Sequence, residues 1–256
     1  MAHSRKLPEG EIHWPKRVAT AADAARFIDD VGYCLKVSIK NLPLPSLYYA
    51  VARRDIHDGP GWDRFYEKIW RWKDDLPRRH RAFYARYFKG RGTFVSLKLL
   101  PHFLALEGAA VAPGDHERLY EAGRISADAR LIWEMLERHG PLATLELRHT
   151  AKMETAAGNA RFKRAMAELE RRLLVVHFGT EQETAAWASG RFELTCRAFP
   201  SETAHAQDIS PESARARIAA KYQEWHSDAG PERLARLFGW TKAEALAAIE
   251  SPPSRR

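Results

Sequence analysis

Two stretches of the sequence hold side chains that could bind a polyanion. Residues 76–98 contain Arg78, Arg79, Arg81, Arg86, Lys89, Arg91 and Lys98 without one Asp or Glu. Residues 161–171 add Arg161, Lys163, Arg164 and Arg171, set between apolar Phe162, Ala165, Met166 and Leu169. Cations at this density suit the phosphates of nucleic acid, whose counterions they displace. Phe83, Tyr84, Tyr87 and Phe88 are interleaved with the first set. On one helix they cannot all face a single core, so some of them either stack on unpaired bases or pack against a neighbouring domain. The segment Gly90-Arg91-Gly92-Thr93 has the glycines of a phosphate loop but not its lysine, so it reads as a hairpin turn entering the strand Phe94-Val95-Ser96-Leu97. Cys34 and Cys196 lack CxxC or histidine spacing, so neither a metal site nor a disulfide is expected. No cofactor is expected either.

These residues need a scaffold, and the stretch from Gly140 to Phe199 supplies its pattern. Ala129, Ile132, Trp133 and Leu136 repeat at i, i+3, i+4 and i+7 until His139-Gly140-Pro141 breaks the period. A short apolar segment, Leu142 to Leu147, leads to a loop. Asn159 then caps a helix with Phe162, Ala165, Met166 and Leu169 inward and Arg161, Lys163, Arg164 and Arg171 outward. Leu173 to Val176 and the alternating Phe192, Leu194 and Cys196 read as a hairpin. Helix, corner, helix, helix and hairpin make a winged helix, whose last helix has the width a major groove admits. Winged helices also serve as protein-interaction modules, and the hairpin tip favours that alternative: Thr180 to Gly190 holds Glu181 and Glu183 with no Lys or Arg.

The rest of the chain follows the same pattern. Residues 19–31 read as a helix ended by Gly32, Leu47 to Arg53 as a second helix, and Trp62 to Lys73 as an aromatic third with Trp62, Phe65, Tyr66 and Ile69 mostly in the core. After a polar linker, Pro200 to Ser210, helices are expected over 218–225, 232–238 and 242–249, with Gly230-Pro231 repeating the joint of Gly140-Pro141. The expected fold is mainly α with short β-hairpins: tandem winged-helix modules over 18–110 and 111–200, and a truncated third over 211–250. Residues 1–17 and 251–256 are expected to be flexible tails. A 45% apolar content over 256 residues supports a substantial core, and a formal charge of +8 again points to a polyanion. No apolar run approaches the roughly 18 residues that span a bilayer. The polar N-terminus is not a signal peptide, so a soluble cytoplasmic protein is expected, nucleoid-associated when bound to DNA.

At this point the chain resembles the bacterial AlkZ/YcaQ-type DNA glycosylases. The resemblance is carried by His139-Gly140-Pro141-Leu142 with Phe162 to Leu174, and by Lys221-Tyr222, Gly230-Pro231-Glu232-Arg233-Leu234-Ala235 and Gly239-Trp240-Thr241. It implies tandem winged helices, DNA as partner, and excision of alkylated bases or unhooking of crosslinks. That family places a Gln-x-Gln or Gln-x-Asp pair after the glycine ending the first helix, where this chain reads Gly32-Tyr33-Cys34-Leu35-Lys36-Val37. The glutamines here, Gln182, Gln207 and Gln223, all fall later. The family's C-terminal β-domain is also expected to be absent. The expectation is therefore a DNA-binding relative of the glycosylases without their chemistry. One alternative is a glycosylase with substitute carboxylates, for which Asp29 and Asp30 are the weak candidates because an Asp-Asp pair at a helix end is usually a solvated cap. A second alternative is a protein-interaction scaffold.

Overall fold

Thr20 and Asp23 start the first helix by capping each other. The Thr20 hydroxyl accepts the Asp23 N–H at 3.2 Å, and the Asp23 carboxylate accepts the Thr20 N–H at 2.9 Å. Helix α1 (Ala21–Val31) then buries Ala24, Ala25, Phe27, Ile28 and Val31 and stops at Gly32, whose φ of 84° favours glycine. The computed structural model describes residues 7–59, 61–109, 111–182 and 188–251. After α1 come β1 (Tyr33–Leu35), α2 (Leu47–Ala52), a 3-10 turn (Ile56–Asp58), α3 (Arg64–Arg78), β2 (Phe83–Arg86) and β3 (Gly92–Val95). The strands form an antiparallel sheet in the order β1-β3-β2, with Tyr33 and Phe83 both paired to Val95.

Helices α4 (Leu100–Glu107) and α5 (His116–Glu121) lead to a second copy of this order. It consists of α6 (Ala127–His139), β4 (Leu142–Ala143), α7 (Thr144–Thr150), α8 (Ala156–Arg171), β5 (Val175–Glu181) and β6 (Ser189–Leu194). Its sheet runs β4-β6-β5, the same arrangement as the first. Helices α9 (Thr195–Ala198) and α10 (Pro200–Gln207) follow. Then α11 (Pro211–Gln223), α12 (Pro231–Phe238) and α13 (Lys242–Glu250) form a helical group with no strand among the described residues. The fold is thus α+β, mainly helical with two small antiparallel sheets.

Several local expectations differ from the structure. Asn159 lies inside α8; the cap is Thr155, whose hydroxyl accepts the Gly158 N–H at 3.0 Å. The segment read as a linker is α10, with Pro200 in its first turn, where a missing N–H costs nothing. Phe83 and Tyr84 are on a strand, which sends them to opposite faces and lets both be buried. Gly140-Pro141 is a cis peptide leading into β4, whereas Gly230 caps α12 and Pro231 opens it, so the two joints differ.

Residues 7–17 pack against the body instead of forming a tail. Buried Glu11 accepts the Ser46 N–H and hydroxyl at 3.0 and 2.6 Å, and Trp14 lies edge-on to Phe27 and Trp225. The proposed outer tails, residues 1–6 and 252–256, lie outside the described residues.

Packing crosses between the repeated units. Helix α3 packs on β5, while α8 packs on β2 and on the turn after it, so each unit's third helix is braced by the other's hairpin. The larger apolar core draws on residues from Tyr33 to Ala248 and therefore joins all three segments. Polar ties reinforce it: the Tyr33 hydroxyl donates to the Ile218 carbonyl at 3.2 Å, and the Tyr222 hydroxyl to the Pro43 carbonyl at 2.7 Å.

Candidate nucleic-acid interface

Where the repeated units cross, polar and charged side chains from four elements meet. Lys73 of α3 donates to Asp74 at 2.6 Å. His177 of β5 has Nδ1 3.2 Å from Asp74 and Nε2 3.0 Å from Glu170 of α8. Arg86 of β2 donates from Nε to Glu170 at 2.6 Å. Burial alone would raise the pKa of the fully buried Glu170, yet His177 and Arg86 hold it below the ordinary carboxylate range. Arg86, expected to meet phosphate, is thus half of an internal ion pair, although its side chain remains 48% exposed.

Tyr66 and Trp70 on the outer side of α3, with Trp62 just before the Asp63 cap of that helix, form a ladder of rings. The Trp62 and Tyr66 rings are 4.8 Å apart, Tyr66 and Trp70 stack at 6.2 Å, and Trp62 and Trp70 are 51% and 37% exposed. This corrects the expectation that Trp62 belongs to the core. The helix buries the stripe of Ile69, Trp72, Lys73 and Leu76, which leaves Tyr66 and Trp70 on its other side, and Trp62 precedes the helix and packs on those two rings. Half-buried Lys36, just past β1, reaches this ladder: its Nζ donates to the Tyr66 hydroxyl at 3.0 Å and lies 4.7 Å from the Trp70 ring centre. Burial lowers its pKa to about 8 against the pull of Asp74. Lys73 lies 4.6 Å from the same Trp70 ring.

The remaining expected contacts divide into paired and unpaired cations. Arg78 and Arg79 both bind Asp75 at 3.1 Å, Lys98 lies 3.4 Å from Asp29, Arg161 is held by Asp128, and Arg171 donates to its own helix at the Ala167 carbonyl. Arg81, Lys89, Arg91, Lys163 and Arg164 are exposed, with no carboxylate at ion-pair distance among the described residues. Lys163 and Arg164 lie on the outer side of α8 while Phe162 and Met166 are buried. Lys89 lines an opening of about 520 Å³ that also holds Glu9, Asp228 and Glu232, so its surroundings are of mixed charge.

A model of the AlkZ-related family matches residues 18–239. The chain belongs to the AlkZ-related family. A solved structure, the DNA glycosylase AlkZ of Streptomyces sahachiroi, matches at 13% identity with a TM-score of 0.43, covering 88% of this chain and 60% of that one. The chain therefore spans less than two thirds of that protein's length. No curated protein matches it.

In this AlkZ-related chain one of the two weak carboxylate candidates already has structural partners. The Asp29 carboxylate accepts the Ser96 hydroxyl at 2.7 Å besides its contact with Lys98, whereas Asp30 is exposed and is tied through its backbone, its carbonyl accepting the Trp225 indole N–H at 3.3 Å. The strand that follows buries Tyr33, Cys34 and Leu35 completely or nearly so. Phe83, Tyr84 and Phe88 are buried as well, and the Tyr87 hydroxyl donates to Glu107, so these four rings pack inward and are not a stacking surface. At the second hairpin Glu181 lies 3.4 Å from Arg191, and Glu183 is outside the described residues.

His116, Glu117 and Glu134 place ligand-type atoms within 4.8 Å of one another, but Arg130 reaches both carboxylates at 3.0 and 3.4 Å and already supplies their cation. Cys34 and Cys196 are free and buried, and burial pushes both thiols up, Cys196 to about 11. Such thiols make poor nucleophiles. No helix among the described residues is long and apolar enough to cross a membrane. Sequence reading missed the α3 ladder and Lys36, although the i, i+4, i+8 spacing of Trp62, Tyr66 and Trp70 was available to it.

Proposed function

We propose that this AlkZ-related chain is a DNA-binding protein built from two winged helices and a truncated third unit, and that it does not hydrolyse N-glycosyl bonds. The observation that carries the reading is that the exposed Lys163 and Arg164, which have no carboxylate at ion-pair distance among the described residues, lie on the third helix of a helix–strand–helix–helix–hairpin unit. Both fall at the middle of α8, on its exposed side, and the third helix of such a unit is the one that enters a major groove. Arg81, just before the first hairpin, and Arg91, in its turn, add exposed charge on the unit that α8 packs against. Arg78, Arg79, Arg86, Lys98, Arg161 and Arg171 contribute to the field around the molecule, but their existing partners weaken them as direct contacts.

The absence of excision is supported by the segment after α1. Hydrolysis of an N-glycosyl bond needs a polar group that holds water beside a cationic sugar. Buried Cys34 and Leu35 cannot orient water, and a protonated Lys36 would oppose a developing oxocarbenium ion. Of the substitute carboxylates Asp29, Asp30 and Asp55, Asp29 is engaged by Ser96 and Lys98, and Asp55 accepts the Ser38 hydroxyl at 2.9 Å. The test is to incubate the protein with duplexes carrying 7-methylguanine or a nitrogen-mustard crosslink and to measure released base. Release equal to that of a heat-killed control is expected; release lost on Asp29→Asn or Asp30→Asn would establish the glycosylase alternative.

A further inference from the structure

Helix α3 holds in the first unit the place that α8 holds in the second: each follows a helix, a strand and a short helix, and each leads into a hairpin. The two helices offer different chemistry. The exposed side of α8 carries Lys163 and Arg164, whereas that of α3 carries the Tyr66 and Trp70 rings, with Trp62 packed on both just before its start. Single exposed rings are ordinary on a protein surface, but rings gathered into one cluster mark a surface that makes contacts.

The charges around the ladder indicate the kind of partner. Lys36 is pinned at its edge, donating to the Tyr66 hydroxyl at 3.0 Å and lying 4.9 and 4.7 Å from the Tyr66 and Trp70 ring centres, contacts that favour its charged form. The Lys36 N–H donates to the Gly92 carbonyl at 2.7 Å, so exposed Arg91, the preceding residue, belongs to the same edge. Lys68 is exposed on α3 itself, two residues from Tyr66 and from Trp70. The carboxylates of this helix are already engaged: Asp63 caps it and pairs with Arg54, Glu67 pairs with Arg71, and Asp74 with Lys73 and His177. Rings set among lysines are unlike the centre of a protein–protein interface, from which lysine is depleted. They match a nucleic-acid strand, whose phosphates meet cations while its bases stack on aromatic faces. A base inside a duplex has both faces covered by its neighbours, so an unpaired base is what such rings can take.

We propose that the ladder of Trp62, Tyr66 and Trp70, framed by Lys36, Lys68 and Arg91, is a stacking surface for unpaired bases, and that the protein prefers DNA with a single-stranded gap to an intact duplex. The choice of DNA rests on the DNA-binding reading above. Because α8 packs on β2, the strand that follows α3, the two third helices can engage paired and unpaired parts of one DNA molecule. The ladder does not read sequence, since every base has a face to stack.

The test is fluorescence anisotropy of the full chain with three labelled DNAs: an intact duplex, the same duplex with a short gap in one strand, and the single strand alone. A 5-iodouracil opposite the gap, irradiated at long wavelength, crosslinks to rings stacked on it, and the adduct is mapped by peptide mass spectrometry. The gapped duplex should bind roughly tenfold more tightly than the intact one, the scale of one stacked base. The adduct should map to Trp62, Tyr66 or Trp70. Trp62→Ala and Trp70→Ala should each remove most of the preference, and Trp70→Phe, which keeps a ring, should retain part of it. Their unchanged affinity for the intact duplex shows that these variants fold. Tyr120→Ala, which removes an exposed ring of α5, should change neither affinity.

Equal affinity for gapped and intact duplex, an adduct mapped outside the ladder, or a preference that survives both alanine variants would overturn the proposal and leave duplex binding standing. If the intact duplex does not bind but the single strand does, with its adduct on the ladder, the duplex reading fails and the stacking surface stands. If no DNA binds, both readings fail, and a protein partner is what the rings fit.

Discussion

Replacing Glu170 by glutamine removes the charge at the centre of the crossing between the repeated units. The carboxylate is fully buried and is contacted by Arg86 Nε at 2.6 Å, by the Arg86 backbone N–H at 3.3 Å and by His177 at 3.0 Å. Removing one partner of a buried ion pair costs about 3–5 kcal/mol, because the other charge stays buried without compensation. The lower end, about 3 kcal/mol, is expected here, since half-exposed Arg86 can turn to water while His177 cannot. Urea denaturation at pH 7 measures the difference. The pH dependence supplies the sign. Glu170 is held below the ordinary carboxylate range in the folded state, so its contribution is complete at neutral pH and is lost as pH falls through the folded value. The gap between wild type and Glu170→Gln should therefore begin to narrow below about pH 5. A difference under about 1 kcal/mol at pH 7, or a gap that widens in acid, would refute the view that this network braces the two units.

Three other outcomes follow from named residues. Lys163→Glu with Arg164→Glu should weaken duplex binding several-fold in fluorescence anisotropy while changing stability by less than about 0.5 kcal/mol per site, as exposed positions do. Phe162→Ala, which empties a buried position on the same helix, should cost roughly 3 kcal/mol or more in urea denaturation. Glu11 provides a pH test at the opposite end of the scale: burial raises its pKa to about 7 against the hydrogen bonds from Ser46. A carboxyl raised in the folded state penalises folding once it ionises, so wild type should lose stability relative to Glu11→Gln as pH rises from about 5 to 8.

The parts of this fold legible in the sequence were those set by local period. The stripe Ala129, Ile132, Trp133 and Leu136 gave α6, and Phe162 with Met166 gave the buried side of α8, because a helix repeats its face every few residues. The crossing was illegible for the same reason. His177 meets Asp74 across 103 residues, and Arg86 meets Glu170 across 84, so no local pattern records either pair. Charge alone misassigned Arg86 and Arg161 as free cations, because their carboxylates come from distant elements. In α3 six aromatic or apolar residues crowd one helix, and which of them face inward is decided by where β5 and β2 pack. That decision turned Trp70 outward and placed its ring beside Lys36.

The central claim, that this AlkZ-related chain binds DNA through exposed cations, is tested most directly by the salt dependence of duplex affinity. Anisotropy titrations between about 50 and 200 mM salt should give a straight line of log affinity against log salt, with a slope near −0.9 for each phosphate contacted. A steep negative slope, made shallower by Lys163→Glu and Arg164→Glu, is the predicted result. No binding at about 50 mM salt would contradict the account.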